Sequence, residues 1–244
     1  MEPWEAVYQV FRRHRSIRKY KPEKIPEEHV RIIMEAGQRA PTDATLHLWT
    51  AVRIRDRSIR KEIAEAIQQD HVAEAAEFFV FLADLYRLER LLKHRGVEPL
   101  RDHYALLLFA AIDAALAAEN MATMAEALGY GTCFIGAVQN AVDVLVELLN
   151  LPRLTYPLFG LTIGVPDEEP PLRPRLPLDM LFHEDRYRDY TAAELDNAYK
   201  VMAVISRRRD WLRILSRYAA SGGYFDERSR EMRKWLEKLG FRSI

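Results

Sequence analysis

The run from Tyr104 to Leu128 constrains this chain more than any other segment. It is rich in Ala and Leu, interrupted by Asp113, Glu119 and Asn120, and followed by Gly129. Such residues favour helix, and a glycine that tolerates positive φ closes one well. Charged side chains at the centre of a bilayer helix are costly, so the run reads as a buried helix in a soluble protein. Because it is apolar nearly all round, it must be covered on more than one side, by its own domain or by a partner subunit.

The remaining elements are read around that helix. Trp4, Val7, Tyr8 and Phe11 fall at helical spacing, which predicts a short amphipathic helix. Pro26, Glu27 and Glu28 open a helix over Val30 to Arg39 that Pro41 stops. Thr50 to Ile54 alternates like a half-buried strand, Ser58 is expected to cap a helix running to Gln69, and Glu77 to Leu85 is an apolar run of strand length. After Gly129, Thr132 to Val138 and Tyr156 to Val165 read as strands, with a helix at Val142 to Leu149 between them. Five prolines from Pro166 to Pro177 mark an extended arm. Three short helices follow, over Ala192 to Ser206, Asp210 to Ala219 and Asp226 to Leu239. Helices mixed with scattered strands, without regular βαβ alternation, indicate the α+β class.

Composition removes several function classes. Thirty-six basic residues balance 36 acidic ones, so no whole-molecule field draws the chain to nucleic acid or an anionic membrane. Any anion site must be local. A single cysteine, Cys133, allows no intrachain disulfide, which points to a reducing, cytoplasmic setting. The start of the chain lacks the apolar run of a signal peptide. Histidine and cysteine spacing matches no metal motif, so no metal is expected. There is no GxxxxGK[ST] phosphate cradle. Gly129 and Gly131 with Gly136 miss the dinucleotide spacing, and they lead from helix to strand rather than strand to helix.

Positive signals lie elsewhere. His14-Arg15-Ser16-Ile17-Arg18 is followed by Ala40-Pro41-Thr42-Asp43-Ala44-Thr45, by Gln69-Asp70-His71 running to Phe78, by Phe134-Ile135-Gly136-Ala137-Val138, by Pro157-Leu158-Phe159-Gly160-Leu161, and by Arg173-Pro174-Arg175-Leu176-Pro177 ahead of His183-Glu184. These segments, in this order, resemble the FMN-dependent nitroreductase family, and within it the branch of oxygen-insensitive NADPH nitroreductases and NADPH-flavin oxidoreductases.

The resemblance implies a nitroreductase-like fold: a central, mainly antiparallel sheet flanked by helices, with a helical C-terminal excursion and an arm exchanged across a dimer. It divides the chain into an FMN-binding core, residues 1–182, and a helical appendage, residues 183–244, that wraps the partner. The implied FMN contacts are His14, Arg15, Ser16 and Arg18; Thr42 and Thr45; Gln69 and His71; Ile135, Gly136 and Ala137; and Arg173 with Arg175. Guanidinium groups suit a phosphate because they are planar, permanently charged and bidentate. Arg207, Arg208 and Arg209 are candidates for the 2′-phosphate of NADPH, or merely end a helix whose C-terminus favours positive charge. Thr45, His47 and Asp70 stand where many relatives carry Asn, Gln and Lys.

The function implied is transfer of a hydride from NAD(P)H to bound FMN, then of electrons to a nitroaromatic, quinone or free flavin by a ping-pong mechanism. No side chain need serve as a nucleophile, because the cofactor carries the redox chemistry. A homodimer with FMN at its interface is expected, with no nucleic-acid or membrane partner. The residues alone leave a second reading open, a flavin-binding protein of the same fold with little or no turnover.

Overall fold

The computed structural model describes residues 2–205 and 210–242. The chain divides into two compact units, Met1–Pro170 with Arg233–Ile244, and Pro171–Met232. The first carries α1 (Pro3–Arg13), α2 (Glu27–Gln38), β1 (Trp49–Arg53), α3 (Arg57–Ala66), α4 (His71–Glu74), β2 (Glu77–Asp84), α5 (Leu85–His94), α6 (Tyr104–Ala127), β3 (Gly131–Ile135), α7 (Val142–Leu148) and β4 (Thr155–Gly164). The second carries α8 (Leu178–Leu181), α9 (Ala192–Met202), α10 (Trp211–Ala219) and the start of α11 (Tyr224–Lys238).

The four strands form one antiparallel sheet in the order β1-β2-β4-β3. The α+β class and the helix-flanked antiparallel sheet are therefore as the sequence indicates. Every residue of β2 is buried, which requires cover on both faces. Phe78, Val80 and Leu82 join Ile63, Ile67, Ile135 and Leu145 in one core cluster. Residues of opposite parity, Phe79 and Phe81, point to the other face, and α6 packs against β2.

Helix α6 is the hub of this unit. It touches α1, α2, α5 and all four strands. Its packed side is built largely of alanine, with Ala110, Ala114, Ala117 and Ala118 fully buried. Small side chains let α2 approach closely: a Cβ added at Gly37 would lie 2.7 Å from Met121 Cγ. By length and composition alone the helix could cross a membrane, yet this side is occupied by the sheet and α2. The other side stays open, with Tyr104, Leu108, Ile112 and Leu116 exposed. Among the described residues of the first unit, cover is supplied on the alanine side. Helix α1 behaves alike: Trp4, Val7, Tyr8 and Phe11 are more than half exposed, and the helix buries no residue.

Two local expectations are corrected, and one helix was not expected. Ser58 does not cap α3; Asp56 does, its carboxylate accepting from the N–H groups of Ser58 and Ile59. Strand β3 stops at Ile135, and Gly136–Asn140 turn into a 3-10 helix. The Gln139 side chain donates to Leu158 O at 2.8 Å, taking a β4 carbonyl that a longer β3 would need. Helix α5 is unanticipated from the sequence: β2 runs directly into it at Asp84, whose carboxylate accepts from Arg87 N, with no Gly or Pro between to mark the change.

One buried cation braces the approach to α4. The Arg60 guanidinium donates to Ile54 O at 2.6 Å and to Ala75 O at 2.6 Å, joining the end of β1 to the corner before β2. Burial lowers its pKa from the ordinary arginine value. Arg60→Ala would leave these carbonyls without their donor and should destabilise the fold by about 2–4 kcal/mol in urea titration, with the m-value unchanged.

Candidate functional site

The N-terminal basic turn is laid along β3. Ser16 forms a parallel bridge with Thr132, and Ile17 N donates to Thr132 O at 2.8 Å. The fit depends on Gly131, where a Cβ would fall 2.6 Å from Ile17 Cγ1. Farther on, Lys21 N donates to Val165 O and Asp167 N to Lys19 O, so the start of the proline-rich segment is strapped onto the same turn. Glu168 completes the strap, its Oε1 accepting from Arg18 N at 2.6 Å and Lys19 N at 3.1 Å.

In an extended segment neighbouring side chains alternate in direction. Arg15 and Ile17 line an open, largely apolar trench of about 1240 Å³ between α1 and α6. Arg18 lines a separate cleft of about 540 Å³ with Gln69, His71 and Phe134. Three of the residues singled out in the sequence, Arg18, Gln69 and His71, therefore meet there. Cys133 also lines it while remaining buried. Gly136 follows on β3 with open space where a Cβ would stand, and its neighbours Ile135 and Ala137 are buried and half-buried.

His14 and Arg15 are engaged differently. His14 Nδ1 lies 2.8 Å from Glu126 Oε1, which also accepts from Thr132 Oγ1 at 2.6 Å. Glu126 of α6 thereby ties the basic turn to β3. Arg15 forms a 3.4 Å ion pair with the exposed Glu169, while its Nε is buried with no partner among the described residues. Nε2 of His71 is in the same condition. Burial, helped by the Arg18 charge, lowers the His71 pKa below the ordinary imidazole value, against the opposing pull of Asp70 and Glu168.

The Thr42 loop does not line the Arg18 cleft. Thr42 Oγ1 donates to Asp113 Oδ2 at 2.5 Å and accepts from His47 N at 3.0 Å. Thr45 is exposed and donates to Ala44 O. In the second unit Arg173 and Arg175 are exposed, and Arg175 donates to the carbonyls of Arg173 and Pro174 at 3.2 Å. Arg207, Arg208 and Arg209 lie outside the described residues. The sequence reading missed Glu126, Glu168 and the part played by Asp113. The available signal was a carboxylate in an otherwise apolar helix.

The family model described as "Nitroreductase family" matches residues 11–165. The chain belongs to the nitroreductase family. An NADPH-dependent oxidoreductase of Staphylococcus aureus (strain USA300) is 35% identical over 242 residues, covering 96% of this chain and 90% of its own. Among solved structures, NfrA1 of B. megaterium superposes with a TM-score of 0.90 at 29% identity, covering 98% of this chain and 100% of its own. An NADPH:FMN oxidoreductase from Vibrio harveyi, complexed with NAD+, gives 0.85 at 27% identity with the same coverage of each chain. This nitroreductase-family chain is accordingly an oxidoreductase.

The depressed His71 pKa carries a pH dependence for this nitroreductase-family protein. The unfolded chain binds a proton at His71 near pH 6.5, whereas the folded chain resists it until lower pH. Stability is therefore lost as pH falls through that window and is unaffected by His71 above it. His71→Gln should flatten this part of the curve: between about pH 7 and 5.5 the wild type should lose about 2–4 °C more in Tm than the variant, as read by thermal melts.

Proposed function

We propose that this chain is an FMN-dependent oxidoreductase that takes a hydride from NAD(P)H and passes electrons to a nitroaromatic, a quinone or free flavin by a ping-pong cycle. The observation that carries the reading is the convergence of Arg18, Gln69 and His71 on one cleft, which Cys133 and Phe134 of β3 also line. The names of its relatives, an NADPH-dependent oxidoreductase and an NADPH:FMN oxidoreductase, support the donor and the cofactor.

The residues present fit that cofactor. In the cleft, the buried His71 Nε2 has no partner among the described residues and is a polar atom open to a ligand. Arg18 supplies a fixed positive charge toward a phosphate, and His71, held neutral, adds one ring N–H or one acceptor without adding charge. Exposed backbone at Gly136 can approach a planar ring closely, since no side chain intervenes. Asp70 and Glu74 also line the cleft and offset Arg18 and Lys19, so further cations are needed for a phosphate of nearly two charges; the resemblance assigns Arg15, Arg173 and Arg175 that part. When bound, FMN supplies hydride acceptance and onward electron transfer. The chain's own work is to bind, orient and shield it.

The same reading includes a cytoplasmic homodimer with FMN at the interface. The open side of α6 and the apolar side of α1 form a surface that a second copy would bury. Within one protomer the two flavin-directed segments are also split. The basic turn is tied to Glu126 and the Thr42 loop to Asp113, and on one helix these positions stand about 20 Å apart. A second copy brings another loop to each cleft.

The reading is tested by steady-state NADPH oxidation with menadione. FMN-loaded protein should turn over with parallel double-reciprocal lines, and loaded protein without turnover would leave only the flavin-binding reading. Arg18→Ala should weaken FMN retention about tenfold, the loss of one charge-assisted contact. Phe11→Glu with Ile112→Glu should shift sedimentation from dimer to monomer, with loss of FMN alongside.

A further inference from the structure

The loop between α2 and β1 is bent in an unusual way. Ala44, Thr45 and His47 hold φ of 45°, 60° and 50°, a region that residues other than glycine rarely adopt and that costs free energy at each position. Such backbone persists where its surroundings over-determine it. Here the determining group is Asp113, 1% exposed in the middle of α6. Its Oδ2 accepts from Thr42 Oγ1 at 2.5 Å and Leu48 N at 3.2 Å, and its Oδ1 from Asp43 N at 3.0 Å. Thr42 relays the hold by accepting from His47 N. From the other side Arg87 of α5 donates to His47 O, and to Trp49 O at 2.8 Å.

One of these bonds anchors Leu48, a fully buried core residue. The others are made to the loop itself, of which none of residues 42–47 is buried, so the loop offers little packing to offset a buried carboxylate or the backbone strain. What the carboxylate secures there is the shape of an exposed loop. We infer that Asp113 is a positioning residue of the flavin site: it fixes the Thr42–His47 loop in the conformation in which that loop meets bound FMN. The inference rests on the flavin reading above.

The test uses the full chain, with Asp113→Asn, Thr42→Val and the conservative Thr42→Ser. Two quantities are measured: amide hydrogen exchange at Asp43, His47 and Leu48 without FMN, and the FMN dissociation constant from quenching of flavin fluorescence. Asp113→Asn should lose protection at Asp43 or at Leu48, because its single carbonyl oxygen cannot replace both carboxylate oxygens, and Thr42→Val at His47 at least. Both should bind FMN about tenfold more weakly, while Thr42→Ser keeps protection and affinity. Should Asp113→Asn fail to fold, the Thr42 pair decides. Unchanged protection, or lost protection with unchanged FMN affinity, would overturn the inference. A wild type with protected amides that binds no FMN would overturn the flavin reading itself.

Discussion

Covering α6 is the constraint on which the rest of the structure depends. A helix of this apolarity cannot be left in water. The sheet and α2 bury the alanine side, where small side chains bring backbones close. Nothing among the described residues of the first unit buries Tyr104, Leu108, Ile112 and Leu116. The helix is therefore a core element toward its own sheet and, among the described residues, an uncovered apolar face away from it.

The same helix organises the chemistry. Its carboxylates at Asp113 and Glu126, like the Asn120 amide that donates to Ala36 O of α2, are polar points on its packed length, and each reaches a segment distant in sequence. Glu126 holds His14 and Thr132, fixing the basic turn against β3, and Asp113 holds the Thr42 loop. Burying part of a carboxylate is costly unless its hydrogen bonds are satisfied. Both are satisfied by groups belonging to the segments they position, so the cost of each is coupled to the geometry of the site.

Much of this was legible in the sequence, for identifiable reasons. Long periodic or wholly apolar segments, α2, β2 and α6, were read at nearly their true limits because burial imposes the pattern directly. Element ends were read less well: the cap at Asp56 rather than Ser58, and the stop of β3 at Ile135, depend on single hydrogen bonds. Helix α5 was missed because no breaker separates it from β2. Arg18, Gln69 and His71, which line one cleft, were singled out through motifs that resemble a family's. Asp113, Glu126 and Glu168 were not, since their partners lie 71, 112 and 150 residues away. No local pattern encodes such pairings; only the folded topology does.

The central claim is that the cleft beside β3 holds a flavin that NADPH reduces. The most direct measurement is the visible absorbance spectrum of the protein, loaded with FMN, freed of excess by gel filtration and then mixed with NADPH under argon. The account predicts flavin bands that co-elute with the protein in stoichiometric amount and bleach when NADPH is added. A protein that emerges from the column without those bands, or whose bands persist through excess NADPH, would contradict it.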